Sequence, residues 1–112
     1  MKKIEAIIKP ERLDVVRSAL SDAGCSGLMV TEIEGHGKQK GVVQQWRGEK
    51  YRIDLLPKVK IEVVVKDQDV ERITKTIIEN AKTGEIGDGK IFVSPIENAI
   101  RIRTGEKGEG AV

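Results

Sequence analysis

Aromatic side chains are nearly missing: the 112 residues include one Trp, one Tyr and one Phe. A core must therefore be built from aliphatic residues, and Ile and Val, which favour strands, dominate the apolar set. Cysteine occurs once, as Cys25, so no intramolecular disulfide can form. It stands in AGCSG with no cationic neighbour, the setting of a small half-buried residue rather than a reactive thiolate. Histidine also occurs once, as His36, which excludes a two-histidine metal site. No apolar run approaches the roughly 20 residues of a membrane span, and no charged-then-apolar leader precedes the strand-like IEAII near the N-terminus. The expected compartment is the cytoplasm. Charge of one sign is lacking too. Twenty basic and 18 acidic residues leave a net +2, so there is no basic footprint for a nucleic-acid partner. No Ser/His/Asp or Cys/His set is available and no carboxylate pair is singled out as acid and base, so an enzyme would lack its residues.

What is present fits one domain over residues 1–112, long enough for a single core but cramped for a deep private cleft. A site shared between subunits is the economical alternative. Lys3 to Lys9 reads as a strand ended by Pro10. Leu13, Val16, Ala19, Leu20 and Ala23 recur at helical spacing, and Gly24 stops that helix. Gly27 to Ile33 reads as a second strand. The signals then repeat: Lys60 to Lys66 echoes the first strand, and Asp67 or Asp69 caps a helix whose inner face carries Val70, Ile73, Ile77, Ile78 and Ala81. Lys90 to Val93 forms a fourth strand after a glycine turn. Two βαβ halves predict an α+β, ferredoxin-like sandwich, one four-stranded antiparallel sheet with two helices on one face. The strands are apolar nearly throughout, interrupted mainly by Glu5 and Glu62. The uncovered sheet face would then be an exposed apolar patch, and self-association is its simplest cover.

Three segments stand apart from this scaffold. Gly35 to Lys58 is a long flexible connection between strands two and three. It holds Trp46 and Tyr51, two of the three aromatics, and its length and composition point to contact with a partner. Thr83 to Lys90, reading TGEIGDGK, is a glycine-rich turn ending in a lysine. Its backbone amides could cradle phosphate oxygens, although the spacing is not that of a P-loop and a bare turn wants glycines for its own sake. Ile100 to Glu106 alternates with period two, so that in a strand Arg101 and Arg103 would share a side and an anion. Together with that arginine pair, the anion reading of the turn overtakes the purely structural one. Residues 106–112 read as a mobile tail. Lys58, at the C-terminal foot of the long connection, and Gly37-Lys38-Gln39-Lys40-Gly41, at its N-terminal foot, could close on a small carboxylate.

MKKIEAIIKP, GxGxQKG with RGxxY, LPKVKIEVVV, TGEIGDGKIFVSP and IRIRTGE together resemble the PII nitrogen-regulatory signal proteins, from Met1 to about Glu106. The resemblance implies a non-catalytic homotrimer of ferredoxin-like subunits that binds ATP or ADP between subunits, and 2-oxoglutarate beside Mg-ATP. It places Gly35, Gly37, Lys38, Gln39, Gly87, Asp88, Gly89 and Lys90 on the nucleotide from one subunit. Glu62, Val64, Arg101 and Arg103 would reach it from the next. Gln39 would hold Mg, and Gln39, Lys40, Gly41, Lys58 and Gly87 would surround 2-oxoglutarate. Trp46 and Tyr51 become candidates for partner contact, the partner being an ammonium transporter or another nitrogen-metabolism protein, with any membrane contact made through that transporter. Tyr51 aligns with a tyrosine that some members have uridylylated, but Lys50 replaces the usual acidic neighbour that a uridylyltransferase would meet. Glu49 stands where some lineages carry a phosphorylated serine. His36, Lys38 and Met29 also depart from the usual Phe, Arg and Thr, with expected effects on ATP/ADP preference. Other readings of the same scaffold are a small anion- or metal-binding protein, such as a divalent-cation tolerance protein, and a slow ATP hydrolase.

Overall fold

The computed structural model describes residues 1–35, 42–46, 49–53 and 56–112, with side chains over 1–34 and 56–112. Strand β1 (Lys2–Ile8) leads through a 3-10 turn (Pro10–Arg12) into helix α1 (Leu13–Asp22), and β2 (Met29–Gly35) follows. Two short strands, β3 (Val42–Trp46) and β4 (Glu49–Ile53), come next. The second half repeats the first: β5 (Leu56–Val65), a 3-10 turn (Asp67–Asp69), α2 (Val70–Ala81) and β6 (Lys90–Pro95). The main sheet runs β2-β5-β1-β6, and every neighbouring pair in it is antiparallel. This is the ferredoxin-like double βαβ arrangement that the sequence repeat predicts.

Period-two alternation sorts the two central strands cleanly. Ile4, Ala6 and Ile8 of β1 and Val59, Ile61, Val63 and Val65 of β5 are buried on one face. Val16 and Leu20 of α1 and Ile73, Ile77 and Ala81 of α2 complete the same core. Burying each of the Val, Ile and Leu side chains is worth about 1.5–3 kcal/mol, so this face holds the sheet and helices together. Arg12 ties the two halves as well, since its Nε and Nη2 donate to the Asn80 carbonyl at 2.9 and 2.6 Å. A cation at the C-terminal end of α2 also complements the helix dipole.

Several expectations need correction. Ile78 belongs to the outer side of α2 and is 53% exposed, because the stripe facing the core is formed by Ile73, Ile77 and Ala81, with Val70 partly buried against it. Neither Asp67 nor Asp69 caps α2 through its side chain. Asp67 pairs with the N-terminal ammonium at 2.8 Å, and Asp69 turns to Arg72 at 3.3 Å. The segment from Ile100 to Glu106 is no strand. Gly105 N–H donates back to the Arg101 carbonyl at 2.8 Å and Arg101 N–H to Glu106 at 2.8 Å, closing a tight turn. A left-handed Gly105 (φ 71) makes that turn possible. Beyond it, Gly108–Ala111 forms a further 3-10 turn. The long connection carries an unforeseen pair of strands: β3 and β4 run antiparallel with Gln44 opposite Tyr51 and Trp46 opposite Glu49, as a sheet separate from the main one.

The second face of the main sheet is more polar than its apolar strands foretold. Lys3 and Glu5 pair at 2.9 Å, and Lys60 and Glu62 at 3.0 Å, in the middle of that face. Glu5 lies directly opposite Glu62. Each carboxylate meets a lysine two residues away on its own strand, so the like charges are neutralised along the strands rather than across them. Met29 and Phe92, at 56% and 55% exposure, flank this charged strip.

Candidate functional site

The feet of the long connection are set by the pairing of β2 with β5. Gly35 lies opposite Leu56, Glu34 opposite Pro57 and Ile33 opposite Lys58. Lys58 is only 8% exposed, unusual for a lysine. Its Nζ donates to the Gly87 carbonyl at 2.7 Å, which joins the foot of the connection to the glycine-rich turn. Burial pushes the Lys58 ammonium below the ordinary lysine range, and nearby Lys9 adds to that, against the opposing pull of Glu11 and Asp88.

The turn from Thr83 to Lys90 is built around the Asp88 carboxylate. One carboxylate oxygen accepts from the backbone N–H groups of Thr83 and Gly84, both at 2.9 Å. The other accepts from the Thr83 hydroxyl and lies 3.4 Å from the Lys9 ammonium. Lys9, 6% exposed, also donates to Thr83 Oγ1 at 3.1 Å. The Thr83 hydroxyl foremost, then the two amides and Lys9, hold the Asp88 carboxyl well below the usual carboxylate range. All this engagement is with the turn and the end of β1, so what Asp88 offers a ligand is its backbone. Gly89 fixes how close the turn sits to β1. Its φ is 98°, and a Cβ added there would lie 1.6 Å from the Ile7 carbonyl oxygen. Lys90, exposed, opens β6 opposite Ile7.

Toward the other end of the sheet lies a second group. Glu62 and Val64 share the far face of β5, with Met29 opposite Glu62 on β2. Met29, Val64 and Arg101 line a cleft of about 550 Å³, together with Cys25, Arg72 and Val112. Arg101 Nη2 donates to the Gly110 carbonyl at 3.3 Å. Burial pushes the Cys25 thiol up from its ordinary value, which is the behaviour of an inert cysteine.

The chain therefore brings Lys58, Gly87, Asp88, Gly89 and Lys90 together, and separately Met29, Val64 and Arg101. It does not bring the two groups to each other. Lys58 and Val64 are six residues apart in one strand, roughly 20 Å at about 3.3 Å per residue. Arg103 is exposed in the tight turn beyond Arg101. His36, Gly37, Lys38, Gln39, Lys40 and Gly41 lie outside the described residues, and Trp46 and Tyr51 are described by their backbone alone. Among the described residues no group of three or more His, Cys, Asp or Glu could hold a metal ion, and no helix is long and apolar enough to cross a membrane. Lys9 and Thr83 receive no role from the sequence alone, although they stand in the stretches MKKIEAIIKP and TGEIGDGKIFVSP. The signal for Lys9 is a lysine closing an apolar strand, where the alternation calls for a surface position.

Comparison with known proteins gives one answer. Residues 1–106 match the family model described as nitrogen regulatory protein P-II. The chain is 60% identical over its full length to the nitrogen regulatory protein P-II of Cereibacter sphaeroides, and covers all of that protein. Against nitrogen regulatory protein P-II of Haemophilus influenzae the identity is 59%, again with both chains covered completely. Nitrogen regulatory protein P-II 2 of Methanothermobacter thermautotrophicus is 56% identical, with 100% of this chain and 97% of the relative covered.

Proposed function

Because the chain belongs to the nitrogen regulatory protein P-II family, we propose that its signalling role rests on sensing small anionic metabolites at the seams between copies of itself. The observation that carries this reading is the division of the candidate site. The glycine turn with Lys58 and Lys90 stands toward one end of the sheet, and Val64 with Arg101 toward the other. Two copies arranged head to tail would place one group against the other, and a closed ring of three gives identical seams. In each seam Gly35, Gly37, Lys38, Gln39, Gly87, Asp88, Gly89 and Lys90 of one copy hold ATP or ADP. Glu62, Val64, Arg101 and Arg103 of the next complete the site.

The chemistry supports the assignment. Glycines let the backbone approach phosphate oxygens, and Lys90, Arg101 and Arg103 offset their charge. Gln39 holds Mg, and Lys58 with Gln39, Lys40, Gly41 and Gly87 receives 2-oxoglutarate. Bound Mg-ATP supplies the cation that the oxo-acid needs. Lys58 stands at the foot of the long connection, so a ligand there biases residues 35–58, which carry the signal to a partner such as an ammonium transporter. Trp46 and Tyr51 meet that partner, and Tyr51 is the candidate for uridylylation. The protein is a non-catalytic regulator working in the cytoplasm. Titration calorimetry tests the scheme: 2-oxoglutarate should bind only when Mg-ATP is present. Binding of 2-oxoglutarate without nucleotide, or no ATP binding at all, would overturn it.

A further inference from the structure

Lys9 has no part in the scheme above, yet it is among the least exposed charged side chains described, at 6%. A buried ammonium is retained only where partners compensate its lost hydration. Its partners here both belong to the glycine turn: Asp88 Oδ1 at 3.4 Å and Thr83 Oγ1 at 3.1 Å. The turn therefore contains an ionised carboxylate next to the backbone that the nucleotide reading gives to phosphates. An unpaired aspartate there would repel the anion the turn is built to receive. Resting on that nucleotide reading, we infer that Lys9 is a positioning residue, whose ammonium neutralises Asp88 and holds it inward so that the Gly87–Lys90 backbone can accept an anion. Asp88 in turn fixes the start of the turn through the Thr83 and Gly84 amides. The end of β1 thus sets both the charge and the shape of the turn without touching the ligand.

A double-substitution cycle separates this role from direct ligand contact. The full chain, assembled as it occurs, is titrated with Mg-ATP in four forms: unaltered, Lys9→Met, Asp88→Asn, and both together. Urea unfolding is run alongside. Lys9→Met should weaken ATP by about tenfold, the scale of a lost charge-assisted contact. Asp88→Asn alone should also weaken ATP binding, because it leaves the buried Lys9 ammonium without its carboxylate, although an amide oxygen can still accept from Thr83 and Gly84. The double variant should recover most of the lost affinity, since no carboxylate remains to be neutralised. A double variant as weak as Lys9→Met would mean that Lys9 acts on the ligand itself and would overturn the inference. Unchanged binding by Lys9→Met would do the same while leaving the nucleotide reading intact. Failure of the unaltered protein to bind ATP removes both. If Lys9→Met does not fold, a double variant that folds and binds ATP supports the neutralising role, and one that also fails to fold makes Lys9 a folding residue and overturns it.

Discussion

Single residues of the glycine turn carry more than one duty, and Gly89 shows the tightest constraint. Its left-handed backbone and the Ile7 carbonyl at 1.6 Å from a would-be Cβ forbid any side chain without movement of the turn. Gly89→Ala should cost about 3 kcal/mol of stability, combining strain at a positive φ with a backbone clash. Urea denaturation would measure it, and a loss below about 0.5 kcal/mol, the size of an ordinary surface change, would show that the turn does not need this proximity. Asp88 sets a pH dependence. Its folded-state carboxyl titrates well below the ordinary range, so the stability it contributes is complete above the unfolded-state value near pH 4, fades progressively below it, and is gone once pH has fallen through the lower folded value. Asp88→Asn should therefore be less stable than the unaltered chain at neutral pH, and the gap should narrow steadily as pH falls below about 4. A gap constant down to the most acidic measurable pH would refute the linkage.

At the scale of elements, the two sheets differ in what supports them. The β1 and β5 strands are paired on both sides and packed under two helices. Among the described residues, the β3 and β4 strands pair only with each other, and a lone two-stranded hairpin is marginally stable in water. Amide exchange should accordingly be slowest in β1 and β5 and faster by orders of magnitude in β3 and β4. Comparable protection in both sheets would require a support for the hairpin that its pairing does not provide. The same contrast explains what could be read from the sequence. The four main strands and two helices were legible because repeated IEAII and IEVVV runs and helical spacing report directly on burial. Valines at 42 and 43 were not enough to mark β3, since Gln44 and Gln45 break any apolar alternation. Arg101 and Arg103 misled for the opposite reason: an alternating pattern over four residues is cheap to satisfy, and Gly105 decides for a turn. The glycine turn itself was legible from its glycines, but its Lys9 anchor was not, because that contact joins residues more than seventy positions apart.

For the whole molecule, the division of the candidate site makes assembly a functional variable. In the proposed assembly, one chain would supply the Lys90 side of one seam and the Arg101 side of another. Lys90→Ala and Arg101→Ala should each weaken ATP binding in pure form. Unfolded together in equal amounts and refolded, they should regain full-affinity binding at about a quarter of the seams, those that join two intact sides. Absence of any recovery, with mixed assemblies shown by mass spectrometry, would place both residues in one chain's own site. The geometry of the long connection has a consequence for divergence. Residues 36–55 leave and rejoin the sheet across one rung, Gly35 facing Leu56. An insertion hung from a closed rung can change length with only a logarithmic entropy penalty and no demand on the register beneath it. The middle of the connection, residues 42–53, can therefore be exchanged as a module, so that descendants of one chain could acquire new partners while the sheet, its glycine turn and residues 35–41 stay the same.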